Sequence, residues 1–174
     1  MIERVAVRPE SEGFERLLEL YCEAFPPEER YTDEEFEHLK SCDAVEFDIY
    51  CDGEAVIGFT MCICLPSYRY LVFLATDSRI RSKGYGAQIL KILAERGKPI
   101  VLDIDPVDES AQDNEWRVRR LGFYERNGYA LTGKKLVEPS GIEYGIMCNG
   151  AFDAEAFEEQ YRAVIAEVYE FKVV

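Results

Sequence analysis

The stretch from Tyr70 to Ile104 constrains the fold more than any other part of this chain. An apolar run, Tyr70–Ala75, enters a polar loop that ends in Lys83-Gly84-Tyr85-Gly86-Ala87. A helix-periodic segment, Gly84 to Arg96, follows; Gly97 and Pro99 close it, and a second apolar run spans Ile100–Ile104. Short apolar runs bounded by turn residues read as buried strands, and the periodic segment between them reads as a helix with a Gly/Pro stop. Strand, helix and strand in that order pack as a parallel pair joined by a right-handed crossover. The loop has a chemical reading as well. The first amides of a helix lack partners and carry roughly half a positive charge from the macrodipole. Gly84 and Gly86 let those amides approach an anion without side-chain obstruction, and Arg81 and Lys83 add charge. The pattern suits a pyrophosphate. A Walker loop is excluded because its Gly-Lys-Ser/Thr ending is absent, and a dinucleotide fingerprint because Ile89 stands where its third glycine belongs.

Composition narrows the partners. The chain has 174 residues, enough for a single domain over 1–174, with 34 acidic against 20 basic residues and a formal charge of −14. That balance argues against nonspecific binding to nucleic acid or anionic membrane. Charge is uneven: residues 9–36 hold ten acids and two bases, whereas residues 79–98 hold six bases and one acid. The basic segment invites an anionic ligand. No apolar run is long enough for a bilayer, and Glu3, Arg4 and Arg8 interrupt any leader-like stretch, so a cytoplasmic chain is expected. The one histidine, His38, in a glutamate-rich helix expected to be exposed, leaves no multi-histidine metal site or histidine triad. Six cysteines without metal spacing read as reduced, small buried apolar residues, and no metal is expected.

The remaining pattern mixes helices and strands in one α+β domain. Val5–Arg8 reads as a strand. Ser11–Ala24 reads as a helix capped by Ser11, with Phe14, Leu17, Leu18 and Tyr21 on one face, broken at Phe25-Pro26-Pro27. Thr32 to about Cys42 is a second helix opened by a capping box. Val45–Tyr50 and Ala55–Leu65 form a hairpin around Asp52-Gly53, and Tyr68–Ala75 is the next strand. A helix from about Ser110 or Asp113 to Asn127 and paired strands Tyr129–Val137 and Ile142–Cys148 follow. An amphipathic C-terminal helix runs from Asp153 to Phe171, with Phe157, Tyr161, Val164, Ile165 and Val168 along one side.

Two motifs together carry a family resemblance. Arg81-x-x-Gly84-x-Gly86-Ala87 after a strand resembles the coenzyme A signature of the GNAT superfamily of N-acetyltransferases. Phe123-Tyr124-Glu125-Arg126-Asn127-Gly128-Tyr129, ending the next helix, resembles the second GNAT signature. The resemblance covers about 55–148, and the helix at about 153–171 lies beyond the usual core. It implies a central mixed, mostly antiparallel sheet, a parallel strand–helix–strand crossover at the coenzyme site, and helices on both faces. It implies acetyl-CoA as cosubstrate. Arg81, Ser82, Lys83, Gly84, Tyr85, Gly86 and Ala87 would cradle the pyrophosphate, and the backbone of Leu74, Ala75 and Thr76 would pair with pantetheine. Arg126 would meet the 3′-phosphate. Tyr124 matches the family's general acid. Where many relatives carry a pantetheine-contacting asparagine this chain has Arg117, with Asn114 a turn earlier.

The implied reaction is attack of a primary amine, on a small molecule or a peptide, on the thioester. An amine of pKa ~10.4 must lose a proton first, and a thiolate of pKa ~8.5 is helped by a nearby acid. No base is clearly marked: Asp103 and Asp105 lie two apart and share a face. Asp105, Glu28 and Glu29 are candidates to hold the acceptor, whose class the acidic N-terminal half tilts toward a cation. Two other readings stand beside this one. One is a non-catalytic acyl-CoA-binding regulatory module of the same fold. The other is an interaction domain whose C-terminal helix meets a second copy, so both monomer and homodimer stay open.

Overall fold

The computed structural model describes residues 2–80, 83–165 and 169–174. In chain order the described elements are β1 (Ile2–Val7), α1 (Glu12–Ala24), α2 (Asp33–Ser41), β2 (Val45–Asp52), β3 (Ala55–Cys64) and β4 (Arg69–Thr76). There follow α3 (Tyr85–Ala94), β5 (Ile100–Ile104), α4 (Asn114–Arg126), β6 (Ala130–Val137), β7 (Glu143–Cys148), α5 (Ala154–Ile165) and β8 (Lys172–Val173). The strands are ordered β1-β2-β3-β4-β5-β7-β6-β8. The described pairs are antiparallel except β4 with β5, which are parallel. This is a mixed α+β fold. The chain divides into two compact units, one built from residues up to Cys64 with Leu71–Arg96, the other from Leu65–Tyr70 with Gly97–Val174.

In the first unit, local chemistry fixes the helix ends. The Ser11 hydroxyl accepts from the Phe14 amide at 3.2 Å and starts α1. Arg30 closes it, its Nε donating to the Phe25 carbonyl at 2.7 Å and its Nη2 to the Cys22 carbonyl at 2.9 Å. Thr32 and Glu35 form the reciprocal capping box of α2. Phe14, Leu17, Leu20 and Tyr21 are the buried face of α1, with Phe14 edge-on to Phe47 at 5.0 Å and Tyr21 edge-on to Phe73 at 4.9 Å. Each such fully buried side chain contributes about 1.5–3 kcal/mol. Neighbouring strand residues point to opposite faces. Tyr21 of α1 meets Phe59, whereas Gly58 faces Ile89 of α3, so α1 and α3 cover opposite faces of β3.

In the second unit, β4 enters beside β5 through the pairs Arg69↔Ile100 and Tyr70↔Val101. Antiparallel β5–β7 and β7–β6 ladders extend it, and β8 pairs with the end of β6. Helix α5 buries Phe157, Tyr161 and Ile165. Tyr70 stands between Phe157 at 5.4 Å and Tyr161 at 4.8 Å, and the Tyr68 hydroxyl accepts from the Asp153 amide at 2.8 Å.

Several expectations need correction. The α1 stripe uses Leu20 in place of Leu18, which is only half-buried, because Leu20 continues the three-residue step from Phe14 and Leu17. His38 is half-buried, not exposed. All six cysteines are free, but Cys22 is exposed and only Cys62 and Cys148 are buried. The expected helix to Phe171 is described as helix only through Ile165, and Val168 lies outside the described residues. Beyond it Lys172–Val173 form β8 on the edge of β6, and the Lys135 and Val174 backbones exchange hydrogen bonds of 2.9 Å.

Candidate functional site

The first unit carries the glycine loop. Beyond β4, Ser78–Ile80 form a short 3-10 turn, Arg81 and Ser82 lie outside the described residues, and Gly84 is the N-cap of α3. Gly84 adopts φ +70°, a left-handed conformation that side chains resist, and no side chain caps the helix. Among the described residues no side chain accepts from the first-turn amides of Tyr85, Gly86 and Ala87, the arrangement that receives an anion. Lys83 is exposed, with its Nζ 5.9 Å from the Tyr85 ring centroid, and the Tyr85 hydroxyl donates to Asp52 at 2.8 Å.

The positive segment is partly spent within the fold. Arg79 binds Asp77 with its Nε at 2.9 Å, Arg96 binds Glu46 at 2.6 Å, and Lys98 donates to the Leu65 carbonyl at 2.7 Å. Lys83 and Lys91 remain exposed among the described residues. Asp77, which sequence reasoning passed over, holds the exit of β4. Its amide donates to the Ile57 carbonyl at 2.9 Å, and its carboxylate takes Arg16 at 3.0 Å as well as Arg79. Those hydrogen bonds, Arg79 foremost, hold its carboxyl down to about 2.

Leu74, Ala75 and Thr76 close β4 with half-buried side chains. Gly58 of β3 approaches them: a Cβ there would stand 2.6 Å from the Ala75 carbonyl oxygen and 3.2 Å from the Thr76 Cα. The signal was an isolated glycine inside a strand pattern. Glu28 and Glu29 are exposed in the 3-10 turn Pro27–Glu29.

The second unit carries Tyr124, on α4. Its ring meets Phe123 at 5.2 Å and Tyr129 at 5.7 Å. Burial pushes its hydroxyl up to about 12, with Arg120 opposing and Asp103 adding to the rise, so it stays protonated through the physiological range. Asp105 is paired with Arg120 at 3.1 Å. Arg117, the departure from the family pattern, has a structural employment. Its Nε donates to Asp113 at 2.9 Å and its Nη1 to the Pro106 carbonyl at 3.1 Å, while Asn114 Oδ1 accepts the Asp108 amide at 2.9 Å. Arg126 is exposed in the last turn of α4. Asp103, in β5, accepts a hydrogen bond from the Tyr70 hydroxyl, and burial pushes its carboxyl up to about 6. The readable signal was a carboxylate inside Ile100-Val101-Leu102-Asp103-Ile104. Among the described residues no group of histidine, cysteine and carboxylate side chains could hold a metal. No helix among them is long and apolar enough to cross a membrane.

The sequence model described as the Acetyltransferase (GNAT) family matches residues 14–129, more than half of the chain. The chain belongs to this acetyltransferase family. Among individual proteins, it is 30% identical over 111 residues to YjbC of Bacillus subtilis, an acetyltransferase by name; the match takes in 64% of this chain. It spans 55% of that relative's length. A solved structure from Bacteroides thetaiotaomicron, assigned by name to the GNAT acetyltransferases, is 27% identical with a TM-score of 0.77. That superposition covers 95% of this chain and 97% of the other. Arabidopsis thaliana Naa50, in complex with the bisubstrate analogue CoA-Ac-MVNAL, shares the fold at a TM-score of 0.60 and 16% identity, covering 87% of this chain and 99% of its own.

Proposed function

We propose that this chain is an acetyl-CoA-dependent N-acetyltransferase that moves an acetyl group by direct attack of a primary amine. The observation that carries the reading is the start of α3, where a left-handed Gly84 and the absence of a side-chain cap leave the amides of Tyr85, Gly86 and Ala87 for a diphosphate. Lys83 supplies exposed charge beside them, and by the family motif Arg81 and Ser82 would contribute to the cradle. The main chain of Leu74, Ala75 and Thr76 serves the pantetheine arm, and Arg126 the 3′-phosphate. Acetyl-CoA supplies an activated acetyl thioester. Tyr124 donates the proton that the leaving sulfur takes, a role its protonated hydroxyl suits. Arg117 is not carried over as a pantetheine contact, since it braces the loop before α4.

The acceptor is a primary amine on a small molecule or a peptide. The exposed Glu28 and Glu29 support a cationic one, whereas Asp105 is already matched by Arg120. The family match runs over parts of both compact units and supports reading 1–174 as one domain. Six free cysteines support a cytoplasmic setting. The test is release of free thiol from acetyl-CoA across polyamines, aminoglycosides, amino acids and lysyl peptides. Amine-dependent release is expected; silence across the panel overturns the reading, and coenzyme binding without product points to a non-catalytic acyl-CoA-binding module.

A further inference from the structure

Resting on that reading, we propose that Asp103 is the proton acceptor for the attacking amine and that Tyr70 is the residue that positions it. β5 is otherwise Ile100, Val101, Leu102 and Ile104, all buried, and a carboxylate in such a strand is expensive unless something answers it. The buried aspartates are answered by cations: Asp48 by Arg4 at 2.8 Å, Asp77 by Arg16 and Arg79. Asp105, two residues along, has Arg120. Among the described residues no cation pairs with Asp103. It has a neutral donor, the Tyr70 hydroxyl.

That donor is fixed by the fold. The parallel register sets Tyr70 beside Val101, on the face Asp103 shares, and the Tyr70 ring is clamped between Phe157 and Tyr161 of α5. The Tyr70 hydroxyl thereby holds Oδ1, and the Asp103 amide also hydrogen-bonds the carboxylate. The groups around it are named by element: Tyr70 from β4, Asp105 from β5 itself, Tyr144 from β7, Glu138 after β6, and Tyr124 from α4, with Tyr161 of α5 behind Tyr70. The negative neighbours Asp105 and Glu138 add to burial in raising its carboxyl to about 6, the range a base working near neutrality needs. Asp103 in turn raises the Tyr124 hydroxyl, so the two groups lie within electrostatic reach of each other. A proton acceptor and a proton donor with separated pKa values are the pair that amine acylation requires.

The neutral amine forms a nitrogen–carbon bond to the acetyl carbon, and the carbon–sulfur bond breaks with its electron pair on sulfur. The proton shed by nitrogen passes to Asp103, sulfur takes the Tyr124 proton, and exchange with water returns both residues to their starting states.

The experiment combines carboxyl carbon NMR titration of the free protein with pH–rate profiles of the wild type, Asp103→Asn and Tyr70→Phe. Asp103 is expected to titrate near pH 6 and to move upward in Tyr70→Phe, because the lost hydrogen bond favours the charged form. The wild-type kcat/KM is expected to fall below that same pH, and the fall to begin at higher pH in Tyr70→Phe. Asp103→Asn is expected to lose ~10²–10⁴-fold in kcat with coenzyme affinity unchanged. An Asp103 inflection near pH 4, or an Asp103→Asn variant with undiminished turnover and the same acidic limb, overturns the proposal and leaves the transferase reading standing. A wild type silent on the whole amine panel overturns both. If Asp103→Asn fails to fold, the displaced acidic limb of Tyr70→Phe decides, since a purely structural tyrosine would not move it.

Discussion

Asp77 is buried and Asp103 half-buried, and their surroundings push their carboxyls in opposite directions. Arg79 and Arg16 pull Asp77 down to about 2. Its charged form is favoured by folding, so its contribution to stability is complete above the ordinary carboxylate pKa and is lost as pH falls through about 2. Asp77→Asn should therefore cost ~1.5–3 kcal/mol at pH 7, the worth of hydrogen bonds to a charged group, and progressively less toward pH 2. Urea unfolding at several pH values measures this. Asp103 behaves in reverse: its raised carboxyl favours folding while protonated and loses that contribution as pH rises through about 6. Tyr124→Phe tests the proton donor. It should lower kcat by ~10²–10⁴-fold while the calorimetric affinity for coenzyme A stays the same, and unchanged turnover would remove Tyr124 from the role.

At the scale of elements, β3 and β4 meet where the pantetheine arm is proposed to lie. Gly58 permits that approach, and Gly58→Val would force a side chain onto the Ala75 carbonyl and Thr76. Overpacking of this kind costs ~1–3 kcal/mol, and here it should also weaken coenzyme binding by displacing the β4 backbone. Thermal unfolding and calorimetry on one sample separate the two effects; a stable variant with full affinity would show that β4 tolerates the shift. Elements written in local chemistry are legible from sequence: the Ser11 cap, the Thr32–Glu35 box, the Gly53 turn and the uncapped glycine start of α3 each depend on a few adjacent residues. The C-terminal helix extends less far than its apolar period suggests: Tyr169–Phe171 are not helical and lead into β8, whose pairing with β6 is a tertiary contact that no local pattern announces. The Tyr70–Asp103 bond was illegible for the same reason. It follows from the register of two strands separated by a whole helix, and one-residue slippage would have turned either side chain away.

For the whole molecule, the net charge of −14 disfavours an anionic cosubstrate everywhere except where the backbone itself is positive. Arg79, Arg96 and Lys98 are committed to partners within the fold, whereas the helix start and the exposed Lys83 are proposed to answer the diphosphate. The proposed coenzyme site therefore depends on those amides. The direct measurement is a nitrogen-15 NMR titration of the whole chain with coenzyme A, run beside pantetheine, which lacks the diphosphate. The largest shifts are expected at the amides of Gly84, Tyr85, Gly86 and Ala87 with coenzyme A, and little change there with pantetheine. Saturable binding that leaves those four amides unmoved, or no binding at all, would contradict it.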